Sequence, residues 1–175
     1  MTWTNPTRYP NSMEIADNEA FLNTNVIDNL VDHETRIVAN EGAWATWTPT
    51  YTNITIGNGV VTASYKQVGN TVFGRWGIKF GSTSSMGNGP TVSLPVTAKD
   101  TTPGAVEFSS SMLIGDAGVT QYYGFSRLIT SSSNFGFFVL STTSTYATYV
   151  GVTSTVPMTW TTNDTIGVSF TYEAA

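Results

Sequence analysis

Five carboxylates, one imidazole and a set of aromatic rings are the groups from which this sequence could build chemistry. Asp100, Glu107, Asp116, Asp164 and Glu173 lie in the longer, C-terminal part. A pair of carboxylates flanking a sugar bond is the apparatus of glycoside hydrolysis. Most of these five fall in turns or near ends, where Asp favours turn geometry, and nothing in their spacing pairs them. His33 is the single histidine. A serine–histidine–acid triad would have to use it, and a multi-histidine metal site cannot form within one chain. Cysteine is absent, which removes disulfide frameworks, thiolate zinc sites and cysteine nucleophiles. Asp116-Ala117-Gly118 has no second acid at a calcium-loop spacing. No Lys-Ser/Thr follows Gly87-Asn88-Gly89-Pro90, so it is not a phosphate loop. The expectation is a protein with no catalytic residues, no metal and no cofactor.

Aromatic side chains offer a different chemistry, the stacking of sugar rings. Trp44, Trp47, Tyr51, Trp76, Tyr122, Tyr123, Tyr146, Tyr149 and Trp160 are the candidates. A β core consumes aromatics too. Trp76 alternates with apolar residues and reads as core. Tyr122 and Tyr123 are adjacent, so in a strand one of them faces out. Tyr146 and Tyr149 lie in a Thr/Ser-rich stretch. Tyr123, Tyr146 and Tyr149 are therefore the candidate saccharide contacts.

The elements that must position these groups divide unevenly. The 175 residues carry 12 acids and 7 bases, a formal charge of −5. Residues 1–42 hold seven of the acids and two of the bases, and residues 43–175 hold five of each. The whole net charge lies in the first quarter, and the rest is a neutral, hydroxyl-rich segment. This sets a boundary near Gly42, with an N-terminal arm and oligomerisation helix over 1–42 and a β domain over 43–175. The acidic balance argues against nucleic acid as a partner. No apolar run is long enough for a membrane span, so no membrane insertion is expected. The opening residues lack the basic start and apolar run of a signal peptide.

Within the first part, Pro6 and Pro10 and the lack of an apolar period make residues 1–16 an extended arm. Residues 17–41 read as a helix. Asp17 or Asn18 can cap it, Glu19 sits in the first turn, Arg36 falls towards its end, and Gly42 is placed to stop it. Leu22, Val26, Leu30, His33 and Ile37 trace one narrow stripe at steps of four, four, three and four. Such a stripe cannot stabilise a lone helix and needs a partner. Its narrowness suits a seam between copies in a short parallel bundle, with His33 as a polar residue that sets register; the alternatives are packing against its own β domain or another protein, and an ion held by three copies of His33.

Residues 43–175 read as strands. Val72, Gly74, Trp76, Ile78 and Phe80 alternate with Thr71, Phe73, Arg75, Gly77 and Lys79. The same period recurs in Val92, Leu94, Val96 and in Ile166, Val168, Phe170, Tyr172. Further strands fall at Tyr122–Ile129 and Phe135–Leu140. Gly69-Asn70 marks a tight hairpin. Gly57-Asn58-Gly59, Gly87-Asn88-Gly89-Pro90 and Asp116-Ala117-Gly118 read as breaks between strands. The fold class is mainly β: seven to nine strands in an antiparallel β-sandwich, most readily a jelly roll, preceded by an extended arm and a short α-helix forming a trimeric bundle.

Beyond these patterns, Trp3-Thr4-Asn5-Pro6-Thr7-Arg8-Tyr9, then Glu14, Leu22-Asn23-Thr24 and Asp28-Asn29-Leu30, resemble a recurrent N-terminal module of tailed-bacteriophage virion proteins. Ile27 stands where that module often has Arg, and Thr7 shifts the arm by a residue. Trp47 to Asn53 and Gly57 to Val72, with Phe80 to Ser85 and Val92 to Val96, resemble β modules of phage tail, fibre and head-surface proteins. The resemblance implies a homotrimer on the virion surface, assembled in the bacterial cytoplasm, where an absence of cysteine is suited to the reducing conditions. It implies an arm (Trp3, Pro6, Arg8 and Tyr9) that attaches to the major capsid protein or to tail proteins, and a β domain that faces outward. The expected function is a non-enzymatic capsid decoration or head-fibre protein. The alternative is a minor tail protein that contacts host-surface saccharides.

Overall fold

Alternation between Val72 and Phe80 becomes a strand whose even-numbered residues face a common interior. Val72, Trp76, Ile78 and Phe80 are buried, while Phe73, Arg75 and Lys79 are exposed. The computed structural model describes residues 28–99, 109–128, 133–141, 143 and 145–175. The chain divides into two units, Met1–Gly42 and Ala43–Ala175.

In the first unit, helix α1 spans Asp28–Glu41. Gly42 follows with φ of +50°, the left-handed conformation that ends a helix and that glycine adopts without a Cβ penalty. Arg36 lies before the last turn, which holds no basic residue. Leu30, Val31 and His33 are exposed. The remainder of the helix expected over 17–41 lies outside the described residues. So do the arm residues Trp3, Pro6, Arg8 and Tyr9, the stripe residues Leu22 and Val26, and the side chain of Ile37.

Among the described residues the second unit holds ten strands: β1 (Ala45–Thr46), β2 (Tyr51–Thr55), β3 (Val60–Val68), β4 (Thr71–Lys79), β5 (Ser85–Ser93), β6 (Ser109–Asp116), β7 (Thr120–Leu128), β8 (Asn134–Ser141), β9 (Thr148–Gly151) and β10 (Thr165–Glu173). The count exceeds the expected seven to nine because the two-residue β1 and the hydroxyl-rich β6 carry too little alternation to register as strands. All pairings among the described residues are antiparallel, in the order β1-β3-β4-β10-β6-β7-β8-β5-β2, with β9 on β8. Val68 pairs with Thr71 across Gly69-Asn70. Gly69 has φ of +56°, and a two-residue hairpin loop with glycine in that conformation matches the twist of its strands.

The sheet curls on itself. Trp76 of β4 lies 5.4 Å from Phe137 and 6.1 Å from Phe135 of β8, ring centre to ring centre, although β10, β6 and β7 stand between those strands in the order. Phe135 also meets Phe170 of β10 at 5.4 Å. The inward faces of both halves thus form one aromatic-rich core, consistent with a β-sandwich. One short segment laces the two ends of the sheet. β1 pairs with β3 at one end and β2 with β5 at the other. Trp47, between them, donates its backbone N–H to Ala63 on β3 and its indole N–H to the carbonyl of Ser93 on β5. Its ring packs against Tyr65 and Phe170. This ties down edges that would otherwise offer unpaired backbone groups to another chain.

Gly87-Asn88-Gly89-Pro90 does not separate two strands, as its composition suggests; it lies inside β5. Thr52 pairs with Thr91 and Ile54 with Met86, so Asn53 alone stands opposite these four residues. Asn53 has φ of +57° and donates its side-chain amide to the carbonyl of Asn88 at 2.7 Å. Turn chemistry here makes a bulge, where Pro90 forfeits no ladder hydrogen bond. Near the C-terminus, the Tyr172 hydroxyl donates to the carbonyl of Val96 at 2.7 Å. Burial is the main cause that pushes its pKa up to about 12, against the lowering effect of the Val96 N–H, which donates to the Tyr172 oxygen.

Candidate functional site

Two of the described carboxylates, Asp164 and Glu173, take structural positions. Asp164 is fully buried. Its Oδ1 accepts the N–H of Ala117 at 2.9 Å, and its Oδ2 accepts the N–H and hydroxyl of Thr161. It therefore fastens the turn before β10 to the β6–β7 hairpin. In that hairpin the backbone carbonyl of Asp116 accepts the N–H of Val119 at 3.0 Å. Glu173 pairs with Lys99 at 2.6 Å on the surface. Asp100 and Glu107 lie outside the described residues. No group of three or more metal-ligating side chains occurs among the described residues.

The aromatics divide by face. Trp76 is core, Trp160 stacks on Phe80 at 5.1 Å and donates its indole N–H to the Thr153 carbonyl, and Trp47 is the lace described above. Tyr123, Tyr146 and Tyr149 are exposed at 73%, 82% and 56%. Tyr123 lies on β7 and Tyr149 on β9, whereas Tyr146 precedes β9 outside a named strand. Strand pairing gathers Tyr123 and Tyr149 with residues that the sequence did not single out. Leu113 pairs with Tyr123, Phe125 with Phe138, and Leu140 with Tyr149. Directly paired residues share a sheet face, so these side chains form an apolar band across the outside of β6–β9. Phe125 and Phe138 stack at 5.5 Å, Tyr149 stands edge-on to both, and the Arg127 guanidinium lies 4.4 Å from the Phe138 ring centre.

The signal for that band was present but masked. Phe135–Leu140 is apolar at nearly every position, so it reads as buried on both faces. Only the pairing reveals that Phe135, Phe137 and Val139 turn inward while Phe138 and Leu140 do not. An open depression of about 330 Å³ adjoins the band, floored by Gly167 and bordered by Ser111, Leu113, Tyr123 and Ser169. A larger one, about 830 Å³, lies between Trp44, Phe73 and Thr171 on the same outer face.

Compared with known protein families, curated proteins and solved structures, the chain gives no significant match. Its chemistry is therefore read from the geometry alone. An outer sheet face with exposed rings, hydroxyls and separated cations is equipped to bind a surface or a ligand by contact.

Proposed function

We propose that this protein is a non-enzymatic structural component of a tailed-bacteriophage virion: a trimeric capsid decoration or head-fibre protein anchored by its N-terminal arm. The observation that carries this reading is the open stripe on α1. Leu30 is 63% exposed in the single chain, and Val31 beside it is 55% exposed. A short helix with uncovered apolar side chains gains stability from a partner, and copies of itself supply one whose seam matches. The use of Asp164 and Glu173 as structural ties supports a role without catalysis. The sequence resemblance of the arm and of the early strands supplies the virion assignment. In this reading the curled antiparallel sheet is a jelly-roll-like module, projected from the particle by the helix bundle and the arm. The arm residues Trp3, Pro6, Arg8 and Tyr9 meet the major capsid protein or a tail protein. Aromatic and arginine side chains dominate interface energies, and three arms bind together with avidity.

The second reading, a minor tail protein that contacts host saccharides, is favoured by the exposed Tyr123 and Tyr149 beside an open depression. Trimerisation through the helix is testable in solution. Leu30→Asp places three carboxylates near one axis, and each costs several kcal/mol unless it is neutralised. Light scattering is expected to show a trimer for the native chain and a monomer for Leu30→Asp, with unchanged β-sheet circular dichroism. A variant that keeps the trimer mass would remove the helix from the interface.

A further inference from the structure

The charge map of the β domain is uneven in a way its zero net charge hides. Lys66, Arg75, Lys79 and Arg127, four of its five cations, sit on strands β3, β4 and β7. Lys66 pairs with Phe73, and Arg75 pairs with Ser64 on one side and Ser169 on the other. Phe73 alternates with the buried Val72 and Gly74, so this whole row faces outward. Phe73 also pairs with Thr171 of β10. The one acid on β10, Glu173, is held by Lys99. The outer side of β3, β4 and β10 thus carries three cations, Lys66, Arg75 and Lys79, against the one acid that Lys99 holds.

The largest open depression described above, about 830 Å³, lies on that face, and no acid lines it. Trp44 stands at its border, half exposed, just before β1. The Arg75 guanidinium sits 4.5 Å from the Trp44 ring centre, and its Nε donates to Ser64 Oγ at 2.8 Å. This relay holds the indole in place before any ligand arrives, which lowers the ordering cost of binding. The terminal nitrogens of Arg75 have no hydrogen bond to the described residues, nor has the Lys66 ammonium. Lys66 and Arg75 are diagonal neighbours on adjacent strands, about 7–8 Å apart, near enough for one short ligand to meet both. Ser110, Ser169 and Thr171 add hydroxyl-bearing residues to the lining, and Arg75 stands just outside it, against the Trp44 ring at the border.

We infer that this depression binds an acidic saccharide, one whose rings carry carboxylates. The indole and Phe73 take the apolar face of a sugar ring, Lys66 and Arg75 take the carboxylates, and Ser169 and Thr171 take hydroxyls. A chain of net charge −5 disfavours a nucleic-acid polyanion more than a short sugar with one or two carboxylates. The site shares Ser169 with the depression beside Tyr123 but includes neither Tyr123 nor Tyr149, and its occupancy does not depend on where the protein resides, so failure here leaves the virion reading standing.

The test is calorimetric titration of the full chain with an α-1,4-linked oligogalacturonate, sialyllactose, a neutral malto-oligosaccharide of matched length and an oligothymidylate. At least one acidic sugar is expected to bind at least about tenfold tighter than the neutral one, and to weaken as salt is raised. Trp44→Ala and Arg75→Gln are each expected to weaken it about tenfold or more, Lys66→Gln by about threefold or more, and Tyr149→Ala not at all. Thermal melts of the variants separate lost binding from lost folding. The inference is overturned if neither acidic sugar binds, if the neutral sugar binds equally, or if the oligothymidylate binds tighter. It is equally overturned if Tyr149→Ala abolishes binding while Trp44→Ala, or the milder Arg75→Gln, leaves it intact.

Discussion

Gly74→Ala is expected to destabilise the β domain by about 2–3 kcal/mol, at the upper end of what overpacking a core costs. Gly74 pairs with Phe170 across β4 and β10. A Cβ on Gly74 would stand 2.0 Å from one ring carbon of Phe170 and 2.2 Å from the next. The ring has nowhere to retreat. It is 5% exposed and is packed against Trp47 at 6.0 Å, Phe135 at 5.4 Å and Tyr172 at 5.9 Å. Those neighbours belong to the lacing segment, the opposite half of the sheet and the C-terminal strand, so the strain reaches every part of the core. Chemical denaturation measures the loss. In a double-mutant cycle with Phe170→Leu, the two changes are expected to couple by more than about 1 kcal/mol, because the smaller side chain vacates the space the new methyl needs. Strict additivity, or a loss below about 1 kcal/mol, would mean that the ring is not seated on this glycine.

Asp164→Ala is expected to cost about 2–4 kcal/mol, from charge-assisted hydrogen bonds lost and donors left without partners. The carboxylate joins two loops distant in sequence: Ala117 in the β6–β7 turn and Thr161 before β10. The backbone of the same residue accepts the N–H of Phe80 at 2.8 Å, so the end of β4 is tied in as well. Asp164→Asn keeps one acceptor oxygen but turns an amide N–H₂ towards the other donor, and its loss is expected to be intermediate. Urea unfolding with an unchanged slope would report stability alone. An Asp164→Ala protein as stable as the native chain would contradict the role given to this residue.

The readable parts of the fold were those with a strict period and one buried face. Thr71–Lys79 and Thr165–Glu173 alternate without a break, and both are central strands whose outer residues, Phe73 apart, are polar or small. The Gly69-Asn70 hairpin was legible because turn chemistry there coincides with a change of strand. It misled at Gly87–Pro90, because glycine, asparagine and proline serve a bulge as well as they serve a turn. Ser109–Asp116 was overlooked because its first three residues are serines, and serine carries little strand signal. Tyr123 and Tyr149 could be named as outward candidates from their neighbours. Their companions Phe125, Phe138 and Leu140 could not, because an apolar residue looks the same in sequence whether it faces the core or water. Trp44 was among the candidate rings, but its pairing with Arg75 was out of reach for another reason. Their contact depends on β1 pairing with β3, and nothing in two residues of sequence announces that pairing.

The central claim is that this chain is a structural part of a virion, and it predicts where the protein is found. Electron microscopy of purified particles, with the chain marked by a specific antibody fragment, is the direct measurement. The account predicts label at many equivalent positions over the head, each with three copies of the chain. Label confined to the tail would favour the saccharide-contacting alternative over decoration. Purified particles that carry no label, from cells in which the protein is abundant, would contradict the claim.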